Sequence, residues 1–519
     1  MNALLVHPLT PRTYWGFQYS VGIVGKAASM PPLGLATLAA LLPQSWNLRI
    51  VDLNIEPLRD EDLRWADGLL LTGMLIHVPC MHEVLARARK AGVRTVVGGP
   101  AASSTPEAFA DADFVFTGEA EGRIHCVVEA LGGGSGPHLL KAEGERPVLG
   151  GIPPPRYDLL KQDRYVSMSM QYSRGCPFNC EFCDIIEMFG RVPRVKSPPQ
   201  VLRELDALRA TGWRGSVFFV DDNFIANRRE VAVLLPEVER WQEAHGRPFE
   251  FYTEASVDLA TQEKLIASMV KAGFTTVFLG IETPSPEALR ETQKLQNLRI
   301  ELHEAVHRIT RAGLEVYAGF IVGFDADGPG IFEVQRAFID GLPIAAAMIG
   351  VLTALPRTQL WRRLDKEGRL RRDSGGDQFG RPNFDTKLDE ETLLDGYRRL
   401  LASVYQADAY YARCAQIVEE IGVSRGPAIR PADLLKLLRI VLRLGVLSPR
   451  RGHFWRLAAK ALRRPHTLKR AVALSVQGEH FIRYTKEEVL PRIASAIAEV
   501  ARERAATRPT MPAEQPAWA

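Results

Sequence analysis

The chain is expected to be an α/β protein in three parts: a doubly wound parallel sheet, a partial (β/α)6 barrel of TIM type, and a mostly helical C-terminal region. Three observations predict this. Short apolar runs alternate with helix-like segments from Met1 to about Leu131, the alternation resumes after a Gly/Pro-rich break, and from about Arg371 helical periodicity replaces the strand-like runs.

In the first part NALLVH, LRIVDLN, GLLLTG, RTVVGGP and DFVFTGE read as strands. Uniformly apolar strands separated by helices make a parallel sheet covered on both faces, and such a sheet takes its ligand beyond the strands' carboxyl ends. Those ends carry Thr72, Gly73 and Met74, then Gly98 and Gly99, then Gly118 and Glu119. Glycines there admit a bulky ligand to the backbone, and they serve equally well as ordinary loop residues. GGGSGP at Gly132–Pro137 and GGIPPPR at Gly150–Arg156 mark a linker. Beyond it SMSMQYS, GSVFFVDD, FEFYTEAS, TTVFLGIE, VYAGFIVGF and AAMIGVLTALP read as six further strands. Six βα repeats suit a partial relative of the eight-stranded barrel, whose chemistry lies at the strands' carboxyl ends. The division is therefore 1–135, a linker over 136–165, a barrel over 166–370, a helical region over 371–504, and a Pro/Ala tail over 505–519 expected to be disordered.

A formal net charge of +4 over 519 residues is too small to point to nucleic acid, and no nucleic-acid recognition module is present. The opening MNALLVHPLTPR lacks the pattern of a signal peptide. The longest apolar window, Gly341–Pro356, contains Pro343 and falls short of the roughly 20 residues that span a bilayer. Cys80, Cys126 and Cys414 are scattered without a disulfide framework, which fits a reducing cytoplasm.

The other three cysteines, Cys176, Cys180 and Cys183, fall within eight positions in QYSRGCPFNCEFCD. Thiolates spaced by three and then two residues can wrap one corner of an iron-sulfur cube and leave one iron free for another ligand. A zinc knuckle completed by a distant histidine, or three buried thiols, is the alternative. Polar residues end the barrel strands: Asp221 and Asp222, Glu254 and Ser256, Glu282, and the glycines Gly319 and Gly323 of GFIVGF. Carboxylates there can accept hydrogen bonds from an ammonium group or ribose hydroxyls, and they can also act as helix caps.

CPFNCEFC, placed after the first barrel strand, resembles the signature of radical S-adenosylmethionine (SAM) enzymes. The resemblance implies a 4Fe-4S cluster on Cys176, Cys180 and Cys183, SAM chelated to its free iron, and Phe182 against the adenine. It also implies one-electron cleavage to a 5'-deoxyadenosyl radical, with the protein supplying position and exclusion of water. SAM contacts are expected from Asp222, Glu254, Ser256, Glu282, Gly319 and Gly323. PPLGLATLAALLP, VVGGP and FTGEAEG in the Rossmann-like first part are similar to the cobalamin-dependent class, with Thr72, Gly73, Met74, Gly98, Gly99, Gly118 and Glu119 expected at the corrinoid. Because no Asp-x-His-x-x-Gly occurs, cobalamin is expected without a histidine beneath cobalt, although His7, His77 and His82 are available. The matches extend through most of the chain to the subgroup that contains the bacterial hopanoid C-2 methylase.

That resemblance implies methyl transfer from methylcobalamin to an unactivated carbon, with a polycyclic lipid as one acceptor class and flavodoxin or ferredoxin as electron donor. Two large cofactors held across one substrate make such steps effectively intramolecular. A non-methylating cyclisation or rearrangement is the rival within the class, and a non-catalytic corrinoid or iron-sulfur carrier the rival outside it. The groups that act on the substrate are not identified by sequence. Arg450 to Arg470, with Phe454 and Trp455, reads either as a basic amphipathic helix for peripheral contact with anionic lipid or as a cap with a solvated charged face.

Overall fold

A computed structural model describes residues 1–134, 136–142, 144–424, 426–427 and 431–507. Six parallel strands form the first sheet: β1 (Asn2–His7), β2 (Asn47–Asp52), β3 (Gly68–Thr72), β4 (Arg94–Gly98), β5 (Phe114–Thr117) and β6 (Leu139–Lys141), in the order β2-β1-β3-β4-β5-β6. Alternation along each strand sends side chains to two separate cores. Ala3, Leu5, Leu70 and Val96 face the main core, whereas Leu4, Val6, Leu69, Leu71 and Val97 face a smaller one under the helix Val78–Lys90. β6 lies within the stretch expected to be linker.

The second sheet has β7 (Met168–Met170), β10 (Gly215–Phe219), β11 (Phe249–Ala255), β12 (Phe274–Glu282), β13 (Glu315–Val322) and β14 (Ala347–Val351), all parallel and paired in chain order. A two-residue ribbon, β8 (Ser173–Arg174) with β9 (Arg194–Val195), follows β7. β7 and β14 do not pair with each other, so the barrel is partial, as expected. An open sheet edge needs cover. At β14 it comes from the C-terminal helices, where Tyr397 Oη donates to the Ile349 carbonyl at 2.8 Å and Tyr405 Oη to the Ala347 carbonyl.

Helices Glu390–Val404, Ala407–Glu420, Pro431–Ile440, Arg451–Leu462, Leu468–Tyr484 and Leu490–Thr507 make the last region. The first three residues of the expected tail extend the last helix, and the rest of that tail lies outside the described residues. The basic stretch read as one helix is two, divided by a 3-10 turn at Pro465–Thr467, where proline removes a backbone donor. Many of its cations are consumed internally: Lys469 pairs with Glu250 at 2.6 Å, Arg470 with Glu315, and Arg450 with Glu479.

A strap from the N-terminal sheet runs back to this region. Tyr14 Oη meets Thr485 Oγ1 at 2.6 Å, Arg12 pairs with Glu488 at 2.6 Å, and Trp15 packs on Phe278 of β12 at 4.8 Å between ring centroids.

Candidate active site

The cysteine loop is pinned from below by the end of β10. Asp221 accepts from the Ser173 and Tyr172 amides, and Asp222 Oδ2 accepts from the Gly175 amide at 3.3 Å. Gly175 has φ +95, and a Cβ there would lie 2.9 Å from the Gly190 carbonyl oxygen, to whose oxygen Cys176 N donates at 3.2 Å. Only glycine allows this approach without strain. The middle of the loop is clamped by Glu181, whose carboxylate meets Arg363 Nε at 2.6 Å. Arg363 also reaches Asp325, which Arg369 holds at 2.6 Å.

Asn223 Nδ2 lies 3.9 Å from Cys176 Sγ and Gln296 Nε2 lies 3.6 Å from Cys180 Sγ. Burial pushes the Cys176 and Cys183 thiols up. Such thiols become good ligands when a cationic metal centre supplies the missing charge. Among the described residues no three His, Cys, Asp or Glu side chains converge as the ligands of a single ion do. The cysteine thiolates that hold a cube each take a different iron and need not converge, so the arrangement fits the cluster, and the described residues offer the zinc alternative no completed site.

The strand-end carboxylates divide into paired and unpaired. Glu282, at φ +66 where the β12–β13 register shifts, is met by Lys294 Nζ at 2.7 Å. Burial lowers the Lys294 ammonium, but Glu282 and the nearby cysteines outweigh it and hold it above its ordinary value. Lys294 also lies 5.9 Å over the Phe182 ring. Ser256 is bonded to Asn223 and Asp258. Glu254 makes no side-chain hydrogen bond or ion pair among the described residues. Burial first, then the charges of Asp222 and Asp221, push it up to about 8. Burial likewise raises Asp221 to about 7 and Asp222 to about 6. Acidic groups crowded together with one left unpaired suit a cationic ligand such as SAM. Gly319 lies beside Phe278, and Gly323, at φ +95, donates to Asp327 Oδ2 at 2.8 Å. Phe182 packs towards Phe324 with 6.3 Å between centroids.

A cavity of about 850 Å³ opens between the carboxyl ends of the first sheet and the cysteine loop. Thr72, Gly98, Gly99, Gly118 and Glu119 line it from one side, and Gln171, Arg174 and Asp184 from the other. Leu35, Leu70, Val96 and Phe116 make its apolar floor. Glycine margins and an apolar floor fit a bulky planar ligand such as a corrin ring. Gly73 and Met74 are not on its wall: a Cβ at Gly73 would meet Met81 and His77, and Met74 points to solvent. The crevice beside β1 is filled by the protein itself, through Asp52 to Asn54 and Tyr165, and His77 to Thr10. Among the described residues no histidine lines the cavity. His82 instead contacts Asp111 at 3.1 Å.

Glu119 does more than line the wall. Arg174 donates to Glu119 Oε2 at 2.7 Å, to Glu121 Oε1 at 2.6 Å and to Gln171 Oε1 at 2.7 Å, and Arg194 donates to Glu119 at 2.8 Å. This buried network joins the first sheet to the residue preceding Gly175. Sequence reasoning did not assign a site role to Arg174, Glu121, Asn223, Lys294 or Gln296. Arg174 adjoins the cysteine motif and Glu121 lies in FTGEAEG, so those two carried a signal, whereas Lys294 carried none.

Three family models match the chain: a B12 binding domain over residues 21–127, the radical SAM superfamily over 170–329, and a domain of unknown function over 358–492. An uncharacterized methyltransferase of Synechocystis is 42% identical over 93% of this chain and 92% of its own. The hopanoid C-2 methylase of Rhodopseudomonas palustris is 33% identical over 93% of each. Among solved structures, the cobalamin-dependent SAM radical enzyme OxsB, with aqua-cobalamin and SAM bound, shares the fold with a TM-score of 0.59 at 14% identity, over 97% of this chain and 84% of that one. The radical SAM methyltransferase TsrM of Kitasatospora setae gives 0.54 at 16% identity, over 72% of this chain and 79% of that one.

Proposed function

We propose that this chain, which belongs to the radical SAM enzymes with a B12-binding domain and to the subgroup of the hopanoid C-2 methylase, methylates an unactivated carbon of a polycyclic isoprenoid lipid. It is a cobalamin-dependent radical SAM methyltransferase that uses a 4Fe-4S cluster, SAM and cobalamin. The observation that carries the reading is a cavity walled at once by the ends of β3, β4 and β5 and by Gln171, Arg174 and Asp184, which flank the cysteines.

In this reading Cys176, Cys180 and Cys183 hold the cluster. Glu254 and Asp222 receive the ammonium and ribose groups of SAM, Ser256, Glu282, Gly319 and Gly323 border it, and Phe182 flanks the adenine. Thr72, Gly98, Gly99, Gly118 and Glu119 border the corrin. When bound, the cofactors supply a hydrogen-abstracting radical and a transferable methyl group. The protein's part is to hold them across one space, so that the substrate carbon meets both without release. Lys294 holds the Glu282 side chain in place through its ion pair, and the loop clamp Glu181–Arg363 keeps the cysteines from spreading. A small electron-transfer protein of the flavodoxin or ferredoxin kind is the reductant. This reading keeps the division inferred from sequence, with the first unit extended through β6, which pairs with β5.

The test is anaerobic turnover of reconstituted protein with methyl-labelled SAM and a hopanoid acceptor. A labelled product heavier by one methylene is expected. A product of unchanged carbon count would establish the cyclising alternative, and absence of 5'-deoxyadenosine the carrier alternative.

A further inference from the structure

From Leu434 to Gly478 the chain has eleven Lys and Arg and no Asp or Glu, in a protein whose overall formal charge is only +4. The structure shows what this segment does with its apolar residues. Helix Pro431–Ile440 continues through a π-helical stretch, Val441–Leu447, as one rod. Its inner edge, Ile440 and Leu444, packs against Phe454 and Val476. Leu434, Leu438 and Leu442, one helical turn apart, face outward with exposures of 60%, 66% and 51%. Leu435, Leu447 and Trp455 extend the patch at 74%, 66% and 51%. Isolated exposed leucines need no explanation, but a contiguous exposed apolar face does.

The charges around the patch differ from those behind it. Arg450, Lys460, Lys469 and Arg470 are matched by Glu479, Glu419, Glu250 and Glu315. Arg439, Arg443, Arg451 and Arg463 have no carboxylate partner among the described residues. Outward leucines and a tryptophan rimmed by unmatched arginines are the composition of a helix lying in a lipid headgroup layer. No described helix is long and apolar enough to cross a membrane, so the contact is in the plane.

We infer that the rod 431–447, with the exposed side of Arg451–Leu462, seats this protein on a bilayer surface rich in anionic phospholipid. A second copy is a poor occupant, because a two-fold contact would bring the same unmatched arginines together with only Asp433, itself paired with Lys436, as an acid on the rod. The seat lies beside the N-terminal strap: Ile23 and Val24 pack on it, and a Cβ at Gly25 would lie 2.4 Å from Arg439 Nη1. The same strap carries Trp15 to Phe278 at the barrel. The inference concerns the surface alone and stands whatever the acceptor proves to be.

The experiment is flotation of the full chain with phosphatidylcholine vesicles and with vesicles carrying about 30 mol% phosphatidylglycerol. Binding to the anionic vesicles should exceed binding to the neutral ones by about tenfold and weaken in high salt. L434S/L438S/L442S and, separately, R439Q/R443Q should each lower it by about tenfold, whereas V233S/V334S, on exposed residues elsewhere, should not. All these side chains are exposed, and unchanged thermal unfolding of the variants would confirm that they fold. Equal binding to both vesicle types, wild-type binding by the leucine variant, or a dimer in sedimentation that the leucine variant abolishes would each overturn the inference.

Discussion

Arg174→Met tests whether the first sheet and the cysteine loop are held as one unit. The Arg174 side chain is 12% exposed, and its loss leaves Glu119 with Arg194 but Glu121, 9% exposed, with no ion pair. Burial alone would raise the Glu121 carboxyl; the guanidinium outweighs it and holds the group below its ordinary value. Stranding a buried charge costs about 3–5 kcal/mol. Glu121 can escape by taking a proton, which for an ordinary pKa of 4.5 costs about 3.4 kcal/mol at pH 7. That escape sets the penalty near the low end, about 3 kcal/mol, or roughly 150-fold in the opening equilibrium of the loop. Hydrogen exchange of the peptide 172–184 in the metal-free protein reads this directly. Protection should fall about a hundredfold in R174M, and adding Glu121→Gln should restore about 2 kcal/mol of it. Protection within threefold of wild type, or effects of the two substitutions that simply add, would refute the coupling.

Three further outcomes are expected. A carboxyl raised to about 8, as at Glu254, contributes stability that is present below about 4.5 and lost as pH rises through 8, so the metal-free protein should weaken over that window and Glu254→Gln should not, by thermal unfolding. Gly175→Ala forces a Cβ to 2.9 Å from a carbonyl oxygen at a positive φ, which should cost about 1–3 kcal/mol locally and sharply lower the iron and sulfide retained after reconstitution. At Asp325, burial works against ionisation but Arg369 and Arg363 prevail and hold the carboxyl at about 2. Its stability is therefore present above about 3.8 and lost as pH falls through 2, so Asp325→Asn should cost about 2 kcal/mol at pH 6 and little at pH 2 in urea titrations.

Most strands of the two six-stranded sheets were legible because each is a short apolar run bounded by turn residues. β6 was not: Leu139–Lys141 is three residues long, has no fully buried side chain and sits among glycines. Spacing marked Cys176, Cys180 and Cys183 as a candidate site, and a place at a strand end marked Glu254 as a candidate contact. Glu282 was legible in the same way, but its partner Lys294 follows a short helix in the next loop, where no periodicity marks it. Arg174 and its two glutamates stand 55 and 53 positions apart, so only the folded chain brings them together. Gly73 and Met74 followed the rule for strand ends, yet loop residues fill the neighbouring crevice. Leu434 to Leu447 has the composition of a buried helix, and sequence cannot say which face remains uncovered.

The strap that pins Tyr14 to Thr485 spans 471 positions of sequence. During translation its docking partner emerges 471 residues later, so residues 12 to 19 must wait while both sheets are made behind them. Closing that strap is thus a fastening of early chain onto late chain, and it cannot precede the synthesis of either sheet.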